Sequence, residues 1–139
     1  MIAKVKAKEI FNDNNMIYLE NVEIAKIGNN QDEVEKFTLG KNHRLEFQIN
    51  IGEKNHQRSI KVFGFTKKIF GEKKYFLGYL PKEITKTIIE GNFFYFVMPS
   101  PPSFRQDGRI FFDLQGSIDK IKNFQSRFEQ VLQEEGFLK

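Results

Sequence analysis

Residues 76–91, FLGYLPKEITKTIIEG, contain the clearest change from a strand pattern to a helix pattern in this chain. The aromatic-rich start predicts a strand, in which Gly78 marks either a bulge or the close approach of another backbone segment. Pro81 suits the first position of a helix, where its missing amide hydrogen would have no intrahelical partner. Ile84 and Ile88 then share one face of that helix. A strand that leads directly into a short helix is therefore predicted here.

Outside this stretch, the periodicity of apolar residues predicts most of the fold. Residues 44–51, RLEFQINI, alternate between apolar and polar side chains and predict a half-buried strand. Residues 118–135 repeat apolar side chains with the helical period, which predicts a C-terminal helix. Polar residues 28–36 predict a loop, because the apolar face of the alternative helix over 31–37 is thin. Residues 22–27 either prolong the strand at 16–19 or form a further strand. The predicted strands cover residues 2–11, 16–19, 44–51, 58–65, 75–80, 93–98 and 109–114.

Short turns connect these strands, and a short helix at residues 81–90 lies between two of them. This pattern predicts a mainly β protein, specifically an OB-like antiparallel β-barrel with a short inter-strand helix and a C-terminal helix. The strand count alone would also fit a sandwich. With 139 residues, the chain is expected to form a single domain over residues 1–139.

Composition indicates the compartment. The chain contains no Cys, which excludes disulfides and thiolate metal sites and suits a reducing environment. No apolar run approaches the roughly 20 residues that a membrane helix needs. The N-terminus also lacks the apolar segment of a signal peptide. We therefore expect a cytoplasmic protein with no membrane partner.

No arrangement typical of catalysis is present. His43 and His56 lie in predicted turns, without an acid at the spacing of a metal motif. Asp107, Asp113 and Asp119 are distributed over a predicted loop, a strand and a helix cap, whereas a metal-dependent nuclease needs converging acids. We expect a protein that is not an enzyme and that uses neither a metal nor a cofactor.

Positive charge is concentrated in the middle of the chain. Residues 41–74 contain nine Lys or Arg and three Glu, although the net charge of the whole chain is only +4. Cations interleaved with aromatic rings are typical of single-strand binders, in which rings stack on bases. The alternative is that the lysines are solvated charges that protect the edge of a hairpin. The predicted basic and aromatic surface comprises Lys61, Phe63, Phe65, Lys67, Lys68, Tyr75, Tyr79, Lys82 and Lys86.

The sequence GYLPK at residues 78–82, preceded by IKV at 60–62, resembles the core signature of the HIRAN domain family. The resemblance covers residues 58–91, extends more weakly to the C-terminus and is weak over residues 1–40. It implies a stand-alone, divergent HIRAN domain with an OB-like barrel. Characterised members of that family bind single-stranded DNA and prefer a free 3′ end, which is held in a pocket on the barrel.

The resemblance also implies roles for individual residues. The family pocket draws on the positions of Tyr79 and Lys82, which would stack on or bond to the DNA end and contact its phosphate near a helix N-terminus. His56 stands where the family has an Asp that accepts a hydrogen bond from the 3′-hydroxyl, and Arg58 replaces the next Asn. These replacements add positive charge and remove an acceptor. We therefore expect a 3′-phosphate to be tolerated at least as well as a free 3′-hydroxyl.

These observations predict a module that binds single-stranded DNA in DNA repair, DNA processing or a mobile element, where a helicase or nuclease would be a fitting partner. RNA is not distinguished from DNA, because phosphate cations and stacking rings serve both. The alternative is a protein-interaction module on the same barrel, which docks a partner through residues 93–98 or the terminal helix. The predicted nucleic-acid-binding residues are His56, Arg58, Lys61, Phe63, Lys67, Lys68, Tyr79, Lys82, Phe104 and Arg105.

Overall fold

The computed structural model describes residues 4–9, 15–26, 28–51 and 58–136. Over these ranges the protein is mainly β, with antiparallel strands and three α-helices. The predicted turns that follow residues 11 and 51 lie outside the described residues. The elements are β1 (Lys4–Glu9), β2 (Asn15–Glu23), α1 (Gln31–Leu39), β3 (Arg44–Ile51), β4 (Arg58–Lys67), β5 (Glu72–Tyr79), α2 (Lys82–Glu90), β6 (Val97–Pro99), β7 (Ser103–Phe104), β8 (Ile110–Ser117) and α3 (Ile121–Glu134).

The strands form two antiparallel sheets. The first has the order β1-β2-β8-β6, with β7 also paired to β8, and the second has the order β3-β4-β5. The hairpin predicted at the start of the chain is confirmed by the antiparallel pairing of β1 with β2. Ala25, just beyond β2, exchanges two backbone hydrogen bonds with Tyr79 of β5 and so joins the two sheets. No closed barrel is found among the described residues.

Gly78 allows the two sheets to meet at this point. A Cβ atom at Gly78 would lie 2.1 Å from the carbonyl oxygen of Ala25, and its φ of +149° is one that other residues rarely adopt. The register of β4 and β5 also shifts between Val62, which lies opposite Gly78, and Phe63. Both alternatives predicted for this glycine, a bulge and a close backbone approach, are therefore confirmed.

The helix α1 covers residues that the sequence predicts as a loop, so this prediction is wrong. Phe37 on α1 is fully buried. Asn30, just before α1, donates a hydrogen bond to the carbonyl oxygen of Phe76 at 2.9 Å, and Glu33 accepts one from the Phe76 amide at 2.6 Å. The helix is therefore stabilised by its contact with the edge of β5, which its own thin apolar face does not reveal.

The other two helices lie close to their predicted positions. α2 begins one residue after Pro81, which caps it, and Ile84 and Ile88 are buried as expected. The predicted C-terminal helix starts as a 3₁₀ turn at Ile118–Lys120 before it continues as α3. α3 packs against α2 and contributes the fully buried Phe124 to the core.

The apolar run at residues 93–98 is not a continuous strand, contrary to the prediction. Phe94–Phe96 is a 3₁₀ helix, and β6 starts only at Val97. Phe93 and Val97 are buried, whereas Tyr95 is 89% exposed. The two buried positions are four residues apart, as in one turn of a helix, whereas a strand would bury every second residue. The segment therefore forms a helical turn before it extends.

Candidate nucleic-acid interface

The outer face of the β3-β4-β5 sheet carries the central part of the predicted site. Along β4, Ile60 and Val62 are buried in the core, whereas Lys61 and Phe63 are partly exposed on the opposite face. This division follows the alternation that the sequence shows. Because β4 is the middle strand, its outward side chains lie between those of β3 and β5.

Four half-buried rings lie on this outer face, and we call them the aromatic platform: Phe63, Phe65, Phe76 and Tyr79. Phe63 lies directly opposite Phe76, with ring centroids 5.4 Å apart. Phe76 meets Tyr79 nearly at right angles, with 5.5 Å between centroids. Neighbouring rings of this kind present faces on which unpaired bases can stack.

The bulge at Gly78 decides which rings belong to the platform. Phe76 and Tyr79 are three positions apart, and in a regular strand they would lie on opposite faces. The register shift at Gly78 places both on the outer face. The expectation that Tyr75 also lies on this surface is wrong, because Tyr75 is turned toward the core and is only 7% exposed.

Ammonium groups lie next to the rings of the platform. The Nζ atom of Lys74 is 4.1 Å from the ring centroid of Phe63, and that of Lys61 is 5.6 Å from the centroid of Phe76. Cation–π attraction favours these positions over full extension into solvent. A base that stacks on Phe63 would displace the ammonium group of Lys74 from the ring, and the displaced cation would then lie within reach of the phosphates of the bound strand.

Ion pairs neutralise one cation on this face. Arg44 binds Glu72, with 2.6 Å between Nη2 and Oε1, and also pairs with Glu46. The hydrogen bond from Arg44 lowers the pKa of Glu72 below its usual value. In the part of the chain that the structure describes, Lys61 and Lys74 form no ion pair. These two lysines therefore remain available to an anionic ligand.

A cavity of about 480 Å³ lies beside α2. Arg58 and Lys82 both line it, although they are far apart in the sequence, as the resemblance predicts. Tyr79 is not among the described residues that line this cavity and belongs to the platform instead. His56 lies outside the described residues. The structure thus brings together two of the four residues predicted for this pocket.

Acidic side chains near the cavity offset part of its positive charge. The Nζ atom of Lys82 lies 3.5 Å from a carboxylate oxygen of Glu135, and that of Lys86 lies 3.1 Å from Glu134. The hydrogen bond to Glu134 raises the pKa of Lys86. Because the Lys82 side chain is 84% exposed, its ion pair is weak and Lys82 can exchange Glu135 for another anion.

Of the remaining predicted residues, Phe104 and Arg105 lie away from both the platform and the cavity, whereas Lys67 and Lys68 follow the platform residue Phe65 along the chain. The ring of Phe104 packs against the buried Phe37, with centroids 5.8 Å apart. Arg105 is exposed in the loop between β7 and β8, with its guanidinium over a phenylalanine ring of β8. Lys67 and Lys68 are exposed at the end of the β4–β5 hairpin.

Three further side chains on the outer face were not predicted from the sequence as binding residues: Phe76, Lys74 and Arg44. Alternation along β5 places Lys74 and Phe76 on one side and Tyr75 on the other, so this signal was present in the sequence. The position of Arg44 depends on its register opposite Phe65, which only strand pairing determines.

In the part of the chain that the structure describes, no three His, Asp or Glu side chains are grouped so as to hold a metal ion. The same part contains no helix that is long and apolar enough to cross a membrane. Comparison with protein-family models, with curated proteins and with solved structures finds no match to this chain. The relation to the HIRAN family stays a prediction from the motif residues.

Proposed function

We propose that this protein is a module that binds single-stranded nucleic acid, with single-stranded DNA as its ligand. The observation that supports the proposal is the Phe63–Phe76 pair on an open sheet face, with Lys61 and Lys74 beside the rings. Rings that stack on bases, combined with cations that contact phosphates, are the usual elements of single-strand binding. Such a module fits DNA repair, DNA processing or a mobile element, with a helicase or nuclease as partner.

We also propose that the two sheets form an open relative of the OB-like barrel. On one side, the bridge between Ala25 and Tyr79 joins the two sheets. On the other side, β3 at the edge of one sheet lies next to β6 at the edge of the other. Between the sheets, the ring of Phe47 packs 5.6 Å from that of Phe112. OB-folds bind oligonucleotides on the exposed face of adjacent strands, which the platform resembles.

Alanine at Phe63 or at Phe76 is expected to weaken the binding of a short single-stranded oligonucleotide. Each stacked base contributes about 1–3 kcal/mol, which corresponds to about 5- to 150-fold in the dissociation constant. Leucine at the same positions keeps most of the apolar volume but lacks the aromatic face, and so separates loss of stacking from loss of folding. Fluorescence anisotropy with DNA and RNA of the same sequence measures both the loss of affinity in each variant and the preference of the protein for DNA or RNA.

Phe96→Ala provides a matched control. Phe96 is also a partly exposed ring with a lysine above it, since the Nζ atom of Lys120 lies 4.9 Å from its centroid. It lies outside the platform, in the 3₁₀ segment that precedes β6 of the other sheet. This variant should keep the wild-type affinity for the oligonucleotide.

The affinity of the wild-type protein should also fall as the salt concentration rises. A plot of the logarithm of the binding constant against the logarithm of the salt concentration should have a slope of about −0.7 per phosphate contact. Equal effects at Phe63, Phe76 and Phe96, or binding insensitive to salt, would contradict the proposal.

We assign the strand end to the cavity beside α2. An oligonucleotide with a 3′-phosphate is expected to bind at least as tightly as the same oligonucleotide with a 3′-hydroxyl, because Arg58 and Lys82 supply cations and His56 replaces an acceptor. Arg58→Gln should weaken binding of the phosphate end more than that of the hydroxyl end. A strong preference for the free hydroxyl in the wild-type protein would show that another residue supplies the acceptor.

A protein-interaction module is the second candidate, because the described surface includes an apolar patch near β6. Tyr95 is 89% exposed, and Phe96, Met98 and Ile118 are each more than 40% exposed. These side chains lie in residues 93–98 and at the start of the predicted terminal helix, the two segments expected to dock a partner. Under this candidate, nucleic-acid affinity would not respond to changes at Phe63, and replacement of Tyr95 would weaken the association with a protein.

A further inference from the structure

The hairpin formed by β4 and β5 projects beyond the sheet to which it belongs. β3 begins with Arg44, which lies opposite Phe65, and beyond that point the amide of Lys67 donates a hydrogen bond to the carbonyl oxygen of Lys41 at 3.1 Å, so the part of the hairpin that projects starts at Lys68. The amide of Lys68 donates a hydrogen bond to the carbonyl oxygen of Gly71 at 3.0 Å, and a φ of +79° at Gly71 closes the turn. The two strands therefore end in a protruding tip.

The hairpin tip, which we define as Ile69 and Phe70, exposes two large apolar side chains. Ile69 is 92% exposed and Phe70 is 93% exposed, the highest values among the large apolar residues that the structure describes. Turns favour Gly, Asn, Asp and Ser, so the geometry of this connection requires neither side chain. Two adjacent apolar residues at the most exposed point of a hairpin indicate a surface that meets a partner.

Positive charge surrounds the hairpin tip on both strands. The acid of this segment, Glu72, is bound by two nitrogen atoms of Arg44, at 2.8 and 2.6 Å, and Arg44 also pairs with Glu46. These three side chains together carry one negative charge, which four lysines around the tip exceed. Lysines around an apolar centre complement a nucleic acid, whose phosphates lie outside and whose base faces lie inside. The lysines are Lys67, Lys68, Lys73 and Lys74.

We propose that the hairpin tip inserts where a duplex opens into the single strand bound on the platform, so that Phe70 stacks on the last base pair. This inference rests on the proposed function, because the same two strands carry the platform and the tip. At about 3.3 Å per residue, the tip lies roughly 13 Å beyond the level of Phe65, since Ile69 is four residues further along the hairpin. About four stacked nucleotides, at about 3.4 Å each, span that distance. Apolar side chains that enter between base steps are known to unstack nucleic acids.

A bilayer of anionic lipids is the other surface that an apolar tip with lysines could meet. It would contact the hairpin end-on and bury only Ile69 and Phe70, far less apolar area than a membrane-binding helix buries. It would also leave the platform without a ligand. The continuity of tip and platform therefore favours nucleic acid.

The test compares two ligands. One is a single-stranded oligonucleotide, and the other is the same oligonucleotide annealed to a shorter complementary strand, which leaves a single-stranded arm beside a duplex. The last base pair of the duplex, next to the arm, contains 2-aminopurine. The wild-type protein is expected to bind this junction about 5- to 150-fold more tightly than the single strand, because one more base surface is stacked. The fluorescence of 2-aminopurine should change on binding. The double variant Ile69→Ser and Phe70→Ser should lose both the preference and the fluorescence change while it keeps its affinity for the single strand.

Leu39→Ser is the matched control, because Leu39 is an apolar residue that is 78% exposed at the end of α1, outside the hairpin. It should keep the junction preference. Equal wild-type affinity for the junction and the single strand, or a preference that survives in the double variant, would overturn this inference and leave the proposed function intact. Binding to vesicles of anionic phospholipid that requires Ile69 and Phe70, without any junction effect, would also overturn it. Absence of all single-strand binding by the wild-type protein would overturn the proposed function, and this inference with it.

Discussion

Replacing Gly78 with alanine is expected to lower the free energy of unfolding by about 3–5 kcal/mol. The added methyl group would lie 2.1 Å from the carbonyl oxygen of Ala25, a backbone atom that no side-chain rotation can move away. The φ of +149° adds strain for any residue with a Cβ atom. Because Ala25 and Tyr79 join the two sheets by backbone hydrogen bonds, relief of the clash would weaken that connection. Equilibrium unfolding in urea measures the change.

Gly71→Ala is the control for this prediction. Gly71 also has a positive φ, +79°, but a Cβ atom there would meet nothing within 4 Å. The variant should lose only about 1–2 kcal/mol, which is the strain of the left-handed conformation. Equal losses for the two variants would show that the Ala25 segment moves aside easily and that its close approach contributes little to stability.

Replacing Phe37 with alanine is expected to lower the free energy of unfolding by about 3–5 kcal/mol. The ring is fully buried and fills the space above Gly64, where a Cβ atom would lie 2.5 Å from Cε1 of Phe37. Its removal leaves a cavity between α1 and the inner face of the sheet. It also loosens the hydrogen bonds that Asn30 and Glu33 make to the edge of β5. Thermal and urea unfolding followed by circular dichroism measure the loss.

Leu39→Ala tests whether burial, rather than helix content, explains the effect of Phe37. Leu39 lies on the same helix but is 78% exposed, so its loss should change stability by no more than about 0.5 kcal/mol. A loss of less than about 1 kcal/mol for Phe37→Ala would contradict the docking of α1 on β5, because a buried ring that packs well contributes more than that.

The bulge at Gly78 connects the stability of the fold with the proposed function. The same register shift that accommodates Ala25 places Phe76 and Tyr79 on one face of β5. A variant that removes the bulge would therefore turn Tyr79 away from the platform as well as destabilise the protein. Gly78→Ala should weaken oligonucleotide binding under conditions in which the protein is still folded, whereas Gly71→Ala should not alter the platform.

The sequence by itself determined the elements whose pattern is complete within one segment. The alternation of residues 44–51 and 58–65 predicted β3 and β4 and the side on which Lys61 and Phe63 lie. The helical period predicted α2 and α3 to within a few residues. These predictions succeeded because the apolar face of a strand or helix is set by the spacing of its own side chains.

Only the tertiary structure decided the features that depend on contacts between distant segments. α1 is a helix because Phe37 is buried against the sheet and Glu33 bonds to the edge of β5, and neither contact is visible in its own periodicity. Tyr79 joins the platform because the backbone of Ala25 approaches Gly78 and shifts the alternation of β5. A hydrogen bond or a clash with a remote segment changes the free energy of a local conformation without changing the local sequence, and therefore only the folded chain reveals it.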